Sequence, residues 1–123
     1  MTSTQFFVVT AGMEVGAGLA LIVAPALVIR LLFGPSELQT GVAIGRLAGA
    51  ALVSLGAACW WARHDGGSAA SRGLVSGLLI YNAAVVTLVL AGSFGSPGPL
   101  LWAVVVMHTA MAIWCVWLLS FGR

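Results

Sequence analysis

The sequence predicts an all-α integral membrane protein, four transmembrane helices in a compact bundle with a short interfacial segment after the first. Three observations carry this. The chain is 61% hydrophobic and 7% charged, whereas a soluble domain carries about 25% charged residues to keep its surface in water. Its apolar residues fall into four runs, about 5–24, 41–62, 73–92 and 100–119. Each run, at about 1.5 Å per residue, crosses a hydrocarbon core of about 30 Å. Stretches rich in glycine, proline and serine separate them, as turns between spans do. The 123 residues make a single membrane domain. A net charge of +2, from five arginines against three acids with no lysine, lacks the clustered basic face that nucleic-acid binding needs.

The first run opens on MTSTQFFVV, which has no positive n-region, so it is expected to remain as a spanning helix rather than be cleaved. Gly12, Gly16, Ala20 and Ala24 recur every fourth residue, a smooth stripe of the kind that lets helix backbones approach in lipid. Pro25 has no N–H to continue the ladder and breaks or kinks the helix. The following ALVIRLLF, residues 26–33, reads as interfacial, with Arg30 reaching toward headgroups. The alternative is one long tilted helix to Phe33. Gly34, Pro35, Ser36 and Glu37 signal a turn and the start of the next helix.

The second run places Gly45, Gly49 and Gly56 on one side and ends on Trp60 and Trp61, followed by Arg63, His64 and Asp65. Aromatics at a run's end read as an interfacial belt, and Trp102, Trp114 and Trp117 mostly read the same way. A polar link at 64–72 precedes the third run, which carries Tyr81 and Asn82 at its centre; residues 93–99 form the last turn. The fourth run holds His108 near its middle. Cys59 and Cys115 lie inside apolar runs with no CxxC, so both are expected as buried thiols rather than a disulfide. With four crossings, Arg63, Arg72 and Arg123 share the side of the termini, opposite Arg30. The positive-inside rule then puts both termini in the cytoplasm.

Four polar groups lie at depth: Glu14, Asn82 and His108 near the midplane, and Arg46 nearer one surface. Polar groups there pair or give up their charge. The depths permit a Glu14–Arg46 ion pair, with Asn82 and His108 completing a hydrogen-bonded cluster. Such a cluster either locks helix register or lines a cavity for a lipophilic ligand. Tyr81 adds a hydroxyl for a ligand or, as the better expectation, a backbone carbonyl. His108 alone raises haem or metal ligation. Cys115, about 10.5 Å further along the helix, is too far away to bind the same ion. An axial haem pair needs Met13, Met107, Met111 or a second copy of the chain. No metal site is predicted, and haem or quinone is the cofactor to consider. No nucleophile elbow, phosphate loop or HExxH is present in the sequence, so nothing points to an enzyme.

The pattern GLALIVAP, a short apolar segment, GPS and then GRLAGAALVSLGAACWWAR resembles the DoxX-like group of small four-helix bacterial membrane proteins. The resemblance implies a bacterial inner-membrane protein. It also implies an accessory subunit, because some members accompany terminal oxidase or thiosulfate:quinone oxidoreductase complexes. No catalytic residue carries over. Two functions are therefore expected: a non-catalytic subunit packing in a larger complex or homo-oligomer, or a lipophilic-ligand or quinone-linked protein using Glu14, Arg46, Tyr81, Asn82 and His108.

Overall fold

The computed structural model describes residues 2–34, 38–92 and 98–122. Five helices follow one another: α1 Ser3–Val23, α2 Pro25–Phe33, α3 Leu38–Ala62, α4 Ala69–Leu90 and α5 Leu101–Phe121. Of these, α1, α3, α4 and α5 are long and apolar enough to cross a membrane. Among the described residues there is no strand. Of the turns expected at 34–37 and 93–99, residues 35–37 and 93–97 lie outside the described residues, as does Arg123.

Caps set the boundaries that hydropathy alone left blurred. α1 starts at Ser3, before the apolar run, because Thr2 and Gln5 form a capping box that satisfies two orphan N–H groups. α4 starts at Ala69 rather than 73 because the Ser68 hydroxyl accepts from the Ser71 N–H. Between α1 and α2 the chain breaks at Ala24, whose φ of −131° and ψ of 55° are not helical, and Pro25 occupies the first position of α2. A proline is favoured there because its missing N–H has no partner to lose. The short segment is thus a separate helix, not an extension of α1.

α1 packs along α3, and α4 along α5, while α2 lies against α3. The closest approach is between Gly18 and Gly49, where a Cβ on either would stand 2.6 Å from the other's carbonyl oxygen. Gly45 faces Ile29 and Pro25, and Gly56 faces Val15 and the Ala11 carbonyl. The α3 stripe is therefore used as expected. The glycines of the α1 stripe are not: Gly12 and Gly16 have nothing near their missing Cβ and lie on the outer side, opposite Glu14. Gly18, one turn beyond Glu14 on the inner side, does the packing instead.

The start of α1, the end of α5 and the 63–68 link lie at one end of the bundle, where Gly66 comes up against the Ser3 hydroxyl. That half is filled by a core of Phe6, Phe7, Cys59, Leu78, Met111 and Cys115 with their neighbours, and Trp114 stands edge-on to Phe6. Both cysteines are buried and free. The outside is apolar all round, with Leu47 74% and Ile80 71% exposed, an arrangement that lipid solvates and water does not. Trp60, Trp61, Trp102 and Trp117 point outward near helix ends, and the Arg63 guanidinium lies 4.1 Å over the Trp60 ring. Trp114, half-buried in the core, is the exception to the belt.

Candidate functional site

The opposite half of the bundle is hollow. A chamber of about 600 Å³ runs from the α2 end to mid-height, walled by α1, α3, α4 and α5. α2 closes over it with Leu27, Val28, Leu31, Leu32 and Phe33. This roof is fastened to the start of α5: the Gly98 N–H donates to the Leu32 carbonyl and the Leu100 N–H to the Leu31 carbonyl, at 2.8 and 3.0 Å. Those carbonyls belong to the last turn of α2, which has no helical partners for them. Gly98 is needed because a Cβ there would run into the Leu31 carbonyl.

The walls are apolar except for three side chains, Glu14, Tyr81 and His108. All three sit within about 5 Å of their helix midpoints at 1.5 Å per residue, so they form the floor of the chamber. Glu14 is 7% exposed and His108 6%. Asn82 is buried behind the floor and holds the imidazole. Its Nδ2 donates to the Leu78 carbonyl at 2.7 Å, and its Oδ1 lies 2.7 Å from His108 Nδ1. A carbonyl only accepts, so the amide orientation is fixed. An amide oxygen also only accepts, so Nδ1 carries a proton. Nε2 has no hydrogen-bond partner among the described residues. Tyr81 stands edge-to-face on the imidazole, with centroids 5.4 Å apart at 87°, and fixes the plane of the ring.

Three expectations need correction. Arg46 does not join the site: it is exposed, on a side of α3 about 120° around from the chamber-lining Leu52 at 3.6 residues per turn. Its neighbours Gly45 and Gly49 occupy the inner face, so the guanidinium points outward. Consequently no Glu14–Arg46 ion pair forms, and Glu14 has neither ion pair nor hydrogen bond among the described residues. Nor does the Tyr81 hydroxyl bond a backbone carbonyl; among the described residues it has no partner. Asn82 and His108, by contrast, meet as expected.

Met13 and Met107 also line the chamber, while Met111 belongs to the core. Among the described residues no three His, Cys, Asp or Glu side chains gather as metal ligands. The roof and the apolar walls were not foreseen. Their signal was the periodicity set by the polar residues: Ala17 and Leu21 flank the face of Glu14, as Val85 and Val104 flank those of Asn82 and His108.

Four apolar helices of spanning length make this a small integral membrane protein. Comparisons with protein-family models, curated proteins and solved structures find no match for the chain.

Proposed function

We propose that the chain is a small membrane-embedded binding protein that holds one lipophilic molecule in the chamber, tail against the α2 roof and polar head on the Glu14–Tyr81–His108 floor. The observation that carries this is the chamber itself: about 600 Å³, inside the range of small-molecule sites, apolar with a few convergent polar groups. A quinone or a molecule of similar size and polarity suits it. A purely structural cluster would be expected to satisfy its own polar groups. Here Glu14 and the Tyr81 hydroxyl have no partner among the described residues.

The test is mass spectrometry of organic extracts from protein isolated in mild detergent, comparing the parent chain with Ala17→Phe, which fills the chamber. A lipophilic molecule retained by the first and lost from the second supports the reading. Equal content in both overturns it.

A second reading, that the chain is an accessory subunit or homo-oligomer as the DoxX-like resemblance implies, is favoured by the unused α1 stripe. Gly12 and Gly16 are exposed with open space at their Cβ positions, a geometry suited to close helix contact in lipid. Gly12→Leu with Gly16→Leu separates the readings: it dissociates an oligomer seen by native mass spectrometry without changing ligand content.

A further inference from the structure

We propose that the chamber selects a ligand whose head donates a hydrogen bond, a phenol, hydroquinone or alcohol, over one whose head is a carbonyl. This rests on the chamber being a ligand site and adds what the floor reads. The Asn82 amide is pinned by the Leu78 carbonyl, so it offers only its oxygen to His108. The imidazole spends its one N–H on that oxygen, and in the neutral ring Nε2 is left as a lone-pair acceptor. His108 is 6% exposed and lines the chamber, while Asn82 lies behind it, so the ring meets a ligand through the edge away from Nδ1. Glu14 accepts when ionised and can also donate when protonated, and the Tyr81 hydroxyl serves either way. Nε2 of His108 is thus the floor group that can only accept. A carbonyl head set against Nε2 would leave two lone pairs opposed and unpaired, which is costly away from water. A hydroxyl head fills the same place with a bond.

The experiment uses three probes of matched shape, para-nonylphenol, its methyl ether and the corresponding aryl methyl ketone, with the full chain in lipid nanodiscs and empty nanodiscs as the partition control. Binding is measured at about pH 8, above the ordinary imidazole pKa of about 6.5. The phenol is expected to bind about fivefold more tightly than the ether or the ketone, the ratio given by one net hydrogen bond. His108→Phe brings the phenol down to the ether, and Ala17→Phe weakens all three. If the three probes bind equally, or the ketone best, while Ala17→Phe still weakens them, the chamber binds ligands but the donor preference is wrong. If the preference survives His108→Phe, it belongs to Glu14 or Tyr81 and the assignment to Nε2 fails. If Ala17→Phe changes nothing, the chamber is not the site and both readings fall. Nitrogen NMR of histidine-labelled chain requires no variant: a pyridine-type Nε2 for His108 is expected, and a pyrrole-type Nε2 overturns the inference.

Discussion

The Asn82 amide has one donating edge and one accepting edge, and both are spent inside the protein, on Leu78 and His108. Substituting either partner orphans the other. Asn82→Leu leaves the imidazole N–H without its acceptor, and His108→Phe leaves an amide oxygen unmet. Each is expected to cost about 1 kcal/mol, between the roughly 0.6 kcal/mol average for polar contacts in membranes and the upper range for a stranded buried group. The double substitution should cost less than the sum, because it removes both ends of one bond. Unfolding of the parent chain and the three variants in mixed micelles checks this; strict additivity would mean that the two side chains do not interact. The bond was legible in the sequence because both residues sit at similar depth in neighbouring spans. Arg46 was misread for the opposite reason. Depth was known, but direction around the helix was not, and a guanidinium one position from a packing glycine turns away from the partner helix.

Helix faces are hard to assign here because each spanning helix is apolar on every side, so hydropathy has no period to follow. Spans and their breaks were readable from run length and from Pro25; which glycines pack was not. The glycines of α1 look alike in sequence, yet Gly18 meets Gly49 while Gly12 and Gly16 meet nothing. Thr10, Glu14 and Gly18 are spaced by four, and this polar-to-small sequence marks the inner side more surely than the small-xxx-small pattern. Gly49→Ala is therefore expected to destabilise by about 1–3 kcal/mol through overpacking, since its Cβ has backbone, not a flexible side chain, in its way. Gly12→Ala should be neutral or stabilise by up to about 1 kcal/mol through helix propensity. Thermal unfolding in detergent compares them; equal losses would place α1 in the wrong rotation. Gly98→Val acts on a different joint. It pushes the Leu31 carbonyl and the α2 roof away, and the expected result is faster ligand exchange with little change in the α1–α3 pairing.

Seen as one body, the molecule is solid at the end where α1 begins and α5 finishes and hollow beneath α2, and the polar floor lies at the boundary between the two. The difference follows from the residues supplied: Phe6, Phe7, Met111 and Leu118 fill the first half, whereas α1 includes the small Ala17 and Ala20 among the residues it turns to the second. The space, about 600 Å³, is open in part to the surroundings of the bundle, so lipid tails as well as a ligand can reach it. The space is one that a ligand or an acyl chain fills. Small residues there exchange packing for capacity, and reversing the exchange should be visible. Ala17→Phe, placing a ring among Leu21, Val85 and Val104, is expected to raise the thermal midpoint of delipidated protein while removing its ligand, as cavity-filling does where function keeps a site open. Added nonylphenol should raise the midpoint of the parent chain, because binding only the folded state stabilises it, and should leave Ala17→Phe unmoved. If Ala17→Phe lowers the midpoint instead, the ring has met packed protein, and the hollow half is an incompletely closed bundle rather than a chamber.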